Sequence, residues 1–191
     1  FEIDSFCQAS RIMARFMKDV QKETGVTLTQ LNMGGGFGIY YKEGDTPAPI
    51  KDFADVMFNS LKDEFSQLDF PMPERITVEP GRSIVGSAGT TLYTVGAIKT
   101  IPCIRTYVAV DGGMGDNPRP ALYQAKYEMC IANKMNVPNQ IVASVAGKYC
   151  ESGDMLIWDA SMPWVEPGDI LAVSCTGAYN YSMSSNYNSL C

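Results

Sequence analysis

The 191 residues, 46% of them hydrophobic and 19% charged, are enough for one large or two small domains with a sizeable core, which excludes a disordered segment. A formal net charge of -6 excludes nucleic acid and anionic membrane as the main partner, since both require a basic face, and leaves a small-molecule ligand as the expectation. The six cysteines (Cys7, Cys103, Cys130, Cys150, Cys175 and Cys191) form no C-x-x-C pair, histidine is absent, and no apolar run could span a bilayer, so neither a metal site, a disulfide scaffold nor a membrane span is expected, and reduced thiols in a cytoplasmic setting are.

Along the chain, Asp4 and Ser5 are candidate caps for a first helix with Phe6, Ala9, Met13, Phe16 and Val20 at helical spacing, and Gly25 is placed to stop it. Leu28 to Met33 reads as a short strand running into Gly34-Gly35-Gly36-Phe37-Gly38, and Lys42 to Pro49 as a turn-rich loop. Pro49 opens a second helix with Phe53, Val56, Met57, Leu61, Phe65 and Leu68 on one face, and Arg75 to Val78 is a strand ending at Glu79. Helix, strand, helix, strand is the order of parallel α/β architecture. Beyond Arg82 the pattern changes to short strands at Thr90–Thr100, Thr106–Val110, Ile141–Ala146, Met155–Asp159 and Ile170–Ser174, separated by Gly and Pro turns. The expected organisation is an α/β part over residues 1–85 and a mostly antiparallel β barrel or sandwich over 86–191. A start at Phe1, directly ahead of a helix, suggests a piece of a longer protein.

Four clusters at the ends of apolar runs, and one arginine between prolines, carry chemistry. A strand ending in glycines exposes backbone N–H groups without side-chain obstruction, which suits a phosphate, although a tight turn with no ligand is the simpler alternative for that motif alone. The spacing is neither a nucleotide P-loop nor the dinucleotide fingerprint G-x-G-x-x-G. Pro80 and Gly81 fix a turn between Glu79 and Arg82, so the carboxylate is suited to a protonated heteroaromatic nitrogen and the guanidinium to a carboxylate. In Cys150-Glu151-Ser152-Gly153-Asp154 a thiol, more acidic than most carbon acids, stands beside a carboxylate in a polar turn, where a buried structural cysteine would be the alternative. Arg119, between Pro118 and Pro120, is expected to be held away from helix geometry as an anion clamp near Tyr123, and Tyr179 lies in a Gly177 turn.

Taken in order, Asn32 to Gly38, Glu79 to Gly89, Val110 to Tyr127, Cys150 to Asp154 and Gly177 to Tyr181 closely resemble the diaminopimelate decarboxylase family, over essentially the whole chain. The resemblance implies pyridoxal 5'-phosphate as cofactor, decarboxylation of meso-diaminopimelate to lysine, and an alanine-racemase-like fold. In that fold an eight-stranded α/β barrel precedes a β domain and the enzyme works as a homodimer with shared sites. This chain would supply the last two barrel strands and most of the β domain, cut short at its end. By the family's pattern Gly34, Gly35 and Gly36 hold the cofactor phosphate, Glu79 within Glu79-Pro80-Gly81-Arg82 pairs with the pyridine nitrogen, and Tyr179 contacts cofactor and substrate. Cys150 is the proton donor, reaching across the dimer, and Arg82, Arg119, Tyr123 and Glu151 bind substrate. The far end of diaminopimelate bears a carboxylate and an ammonium, which calls for arginine and an acid together, whereas two arginines beside a purely cationic tail would repel it. The lysine that joins the cofactor covalently in this family has no counterpart in the sequence, so the isolated chain is expected to be inactive. The rival expectations are a related decarboxylase acting on another basic amino acid or polyamine precursor, and a non-catalytic homologue or fragment that pairs with one.

Overall fold

The computed structural model describes residues 2–190, and the chain divides into two compact units. The first comprises the residues up to Ile39 together with Thr46–Ser83, and the second Tyr40–Asp45 together with the residues from Ile84 onward.

In the first unit, α1 (Ile3–Thr24) and α2 (Ile50–Gln67) accompany two short parallel strands, β1 (Gln30–Asn32) and β2 (Arg75–Thr77), with Leu31 opposite Ile76. The expected N-caps of α1 are displaced: the helix starts ahead of them with Glu2 at its cap, Asp4 falls in the first turn where its charge complements the helix dipole, and the Ser5 hydroxyl donates to the Glu2 carbonyl at 2.7 Å. Gly25 does stop it, at φ 74°, donating its N–H to the Gln21 carbonyl. The buried stripe of α1 is Ser10, Ala14 and Met17, while Ala9 and Phe16, expected on that face, are exposed. A serine is tolerated in the stripe because its hydroxyl bonds back to the Phe6 carbonyl at 2.8 Å, so no polar group is buried unpaired. On α2 the buried face includes Phe53, Met57, Leu61 and Phe65, as the spacing predicts, plus Glu64, whose carboxylate takes the Arg15 Nε–H at 2.7 Å. Phe6, Phe37 and Phe53 form an aromatic trio with ring centroids 4.9–5.5 Å apart, which anchors the chain just past the glycines.

The link from β2 passes through α3 (Gly81–Val85) and a 3-10 turn, Gly86–Ala88. The second unit is then built on one sheet of β3 (Thr90–Ile101), β4 (Arg105–Val110), β5 (Met129–Ile131), β6 (Ile141–Ala146), β7 (Met155–Met162) and β8 (Ile170–Ser174), in the order β5-β8-β3-β4-β6-β7. All neighbours are antiparallel except β4 and β6. Val95, Val108, Val145, Leu171 and Val173 fill its core. β5 has no counterpart among the expected strands: three residues are too short to show a period, and they are extended because they pair with β8, Met129 opposite Val173. Arg119 corrects another expectation. It begins a short helix, α4 (Arg119–Tyr123), because Pro120 sits in the first turn, where its missing N–H would have had no intrahelical acceptor.

The two edge strands, β5 and β7, approach one another. Residues of Gln124–Met129 and Met155–Ser161 line a single groove of about 860 Å³, so the sheet nearly closes on itself. That groove contains none of the expected cofactor-, substrate- or proton-handling residues. Among the described residues no helix is long and apolar enough to cross a membrane.

Candidate active site

Within the first unit, the glycine run and the acidic corner come together at the carboxyl ends of β1 and β2. The Glu79 N–H donates to the Gly34 carbonyl at 2.7 Å and the Met33 N–H to the Thr77 carbonyl at 2.9 Å, so the two strand ends stay in register past the sheet. Asn32 ties the corner: its Nδ2 donates to Glu79 Oε1 at 2.5 Å, and its Oδ1 accepts from the Gly34 N–H at 2.8 Å. The Glu79 side chain is thereby aimed rather than left to wave in water. Gly35 is required by space, because a Cβ there would lie 2.3 Å from the Glu79 carbonyl oxygen. Gly34 and Gly36 are required by conformation, at φ 71° and 93°. Beyond the corner, the Gly81 N–H donates to the Glu79 carbonyl at 2.9 Å, which starts α3 and places Arg82 in its first turn.

Within the second unit, three loops converge. Cys150 and Glu151 are exposed on the turn between β6 and β7, where the Cys150 N–H donates to Asn188 Oδ1 at 3.0 Å and Tyr187 donates its hydroxyl to Glu151 at 3.2 Å. The turn is held from beneath by Asp154, which is 3% exposed and accepts the N–H groups of Tyr149 at 2.8 Å and Met114 at 2.6 Å. Gly113 and Gly147 make room for that carboxylate, since a Cβ on either would stand 2.5 or 2.1 Å from its oxygens. Through Met114 the turn is fastened to the loop that leads to α4. Asp116 in this loop accepts the Tyr93 hydroxyl and the Gly113 N–H. The third loop, Thr176–Asn180, carries Tyr179 at φ 62° and half-exposed, and its Asn180 amide lies 2.9 Å from that of Asn117. Gly177 permits this path: a Cβ there would meet the Val85 carbonyl oxygen at 1.8 Å.

Arg119 is 7% exposed, and its Nη1 donates to the hydroxyls of Tyr41 at 3.0 Å and Tyr127 at 2.7 Å. Tyr123, on the same helix, points outward and is exposed. Electrostatics separate the carboxylates. Glu151 is held below the usual carboxylate range, first by the Gly153 N–H and then by the Ser152 and Tyr187 hydroxyls, so it is a stable anion. Burial pushes Asp154 up, against the pull of its two backbone donors.

The family description "pyridoxal-dependent decarboxylase, C-terminal sheet domain" matches residues 7–177. The chain belongs to the pyridoxal-dependent decarboxylases. The diaminopimelate decarboxylase of Halalkalibacterium halodurans is 52% identical over 188 residues, covering 98% of this chain and 43% of the relative. That of Bacillus subtilis is 58% identical over 158 residues, covering 83% and 36% respectively. The solved diaminopimelate decarboxylase of M. jannaschii in complex with L-lysine aligns at a TM-score of 0.87 and 36% identity, covering 99% of this chain and 42% of that one. This chain therefore spans less than half the length of these relatives.

The first-unit corner suits the cofactor of a pyridoxal-dependent decarboxylase on its own geometry. The bend turns through positive φ at Gly34 and Gly36 with no side chain above the backbone, and the N–H groups of Gly35 and Gly36 donate to no acceptor among the described residues. Such a bend favours an anion, and Glu79 stands beside it as the complementary acid. Several residues that build the candidate site do not stand out in the sequence. Asn32, Tyr41, Asp116, Tyr187 and Asn188 act on residues distant in the chain, and Tyr127 reaches Arg119 back across α4, so only the fold brings them there. Asp154 stands in the sequence as the end of the Cys150–Asp154 cluster, but its place beneath that turn, for which Gly113 and Gly147 make room, comes from the fold.

Proposed function

We propose that this chain is the carboxyl-terminal part of a diaminopimelate decarboxylase, contributing cofactor-holding and substrate-holding groups to decarboxylation of meso-2,6-diaminopimelate to lysine and CO2. The observation that carries the reading is the lock between Gly35 and Glu79, which keeps an anion-binding bend and an aimed carboxylate at one corner. The domain assignment follows: residues 1–85 are the last two strands of an α/β barrel, and residues 86–191 the β domain. Pyridoxal phosphate, when bound, supplies the electron sink for loss of the substrate carboxylate. Gly34, Gly35 and Gly36 form the bend that holds the phosphate, with the N–H groups of Gly35 and Gly36 as its donors. Glu79 faces the ring nitrogen and keeps it protonated, with Pro80, Gly81 and Arg82 fixing the corner.

Substrate is gripped at its unreacting end. Arg119 takes the distal carboxylate, with Arg82 and Tyr123 completing the contact, and the anionic Glu151 takes the distal ammonium. Tyr179, on its strained turn, contacts both cofactor and substrate. After CO2 departs, Cys150 Sγ delivers its proton to the substrate Cα. Its exposed position suits a thiol presented to the site of a second subunit in a homodimer.

The test is Arg119→Ala in the full-length enzyme. A KM for diaminopimelate raised by about 100-fold is expected for loss of a charge-assisted clamp. Unchanged turnover and KM would remove the reading.

A further inference from the structure

Arg119 is an uncommon kind of buried cation. Among the described residues no carboxylate lies within ion-pair distance of it. Its charge is accommodated by neutral groups: the hydroxyls of Tyr41 and Tyr127 accept from Nη1, and the guanidinium carbon lies 5.3 and 5.8 Å from the centroids of the same two rings. The rings brace each other edge to face, 5.4 Å apart at 89°. Two acceptors satisfy both Nη1 protons, and the Nε–Nη2 edge is the one whose parallel N–H groups match a carboxylate. An acid in place of either tyrosine would neutralise the cation in advance and compete with an incoming anion. Hydroxyls and ring faces stabilise the charge without cancelling it.

We propose that Tyr41 and Tyr127 are positioning residues that hold Arg119 as an unneutralised clamp and so set selectivity for substrates bearing a second carboxylate. This rests on the assignment of Arg119 as the distal-carboxylate group.

The test uses the full-length enzyme with Tyr41→Phe, Tyr127→Phe and the double variant, which keep the rings and remove the hydroxyls. Three quantities are measured: kcat and KM for diaminopimelate, inhibition by L-lysine, which bears the carboxylate, and inhibition by 1,5-diaminopentane, which lacks it. Each single variant is expected to raise KM and the lysine inhibition constant by about tenfold, with kcat within about twofold and the diamine constant unchanged. Equal weakening of lysine and diamine, or a fall in kcat alone, would show a general structural role and overturn the proposal. So would wild-type values in the tyrosine variants while Arg119→Ala loses selectivity, an outcome that leaves the Arg119 assignment standing. Wild-type values in Arg119→Ala itself would overturn both.

Discussion

Gly35→Ala addresses the corner proposed to hold the cofactor. The added methyl would sit 2.3 Å from the Glu79 carbonyl oxygen and 3.3 Å from its carbon. Ordinary contact needs about 3.5 Å, so one strand end must retreat by about 1 Å, and the obstacle is backbone that cannot rotate away as a side chain would. Overpacking of this kind costs about 1–3 kcal/mol. The retreat also breaks the 2.7 Å bond from the Glu79 N–H to the Gly34 carbonyl, worth a further ~0.5–1.5 kcal/mol. Even the lower end of the combined cost corresponds to about a tenfold loss of pyridoxal phosphate affinity if the corner must be intact to bind. The assay is titration of apo full-length enzyme with pyridoxal phosphate, followed by absorbance. Gly25→Asn is the control: it lies away from the corner at φ 74°, a Cβ there meets nothing within 4 Å, asparagine tolerates the left-handed region, and affinity within about threefold of wild type is expected. Wild-type affinity in Gly35→Ala, or equal damage from both variants, would refute the reasoning.

Asp154→Asn replaces an acceptor of two backbone N–H groups by an amide that can serve only one side, so a loss of about 1–3 kcal/mol in chemical denaturation is expected, with an effect below the measurement error arguing against the hub. Asp169 is lowered by the Lys134 and Asn133 hydrogen bonds and the Glu166 N–H, which together outweigh burial. Its folded value lies below its unfolded one, so it contributes stability above pH ~3.8 that is lost as pH falls through the folded value. Asp169→Asn should flatten the acid limb of a thermal-midpoint profile over that range, and an unchanged limb would count against this assignment. The isolated chain leaves the outer backbone of β5 and β7 without a strand partner among its described residues, so it should be inactive and self-associate with rising concentration in size-exclusion chromatography. A monomeric chain that produces lysine by itself would contradict this.

The strands most legible in the sequence are those whose apolar runs end at turn residues. Ile141–Ala146 and Ile170–Ser174 have the bounds their sequence predicts because Asn139 and Gly168 lie just before them. The three-residue β5 was opaque because its extended form comes from β8, a tertiary partner, and not from its own composition. On α1 the hydrophobic spacing pointed to Phe16, yet the helix packs through smaller Ser10 and Ala14, since close approach to α2 favours small side chains over apolar ones. In the candidate site, glycine and acid at strand ends announce themselves. Asn32, Tyr41 and Tyr127 do not, because an amide or a phenol acquires its role only from what the fold sets opposite it.

The chain's path between its two units has an engineering consequence. Because Tyr40–Asp45 belongs to the sheet unit while the residues on either side belong to the other, severing the chain after Ser83 yields a fragment that lacks Tyr41. A graft or swap of the sheet unit between decarboxylases would carry Arg119 with only one of its two phenols, unless this early loop is transplanted along with it.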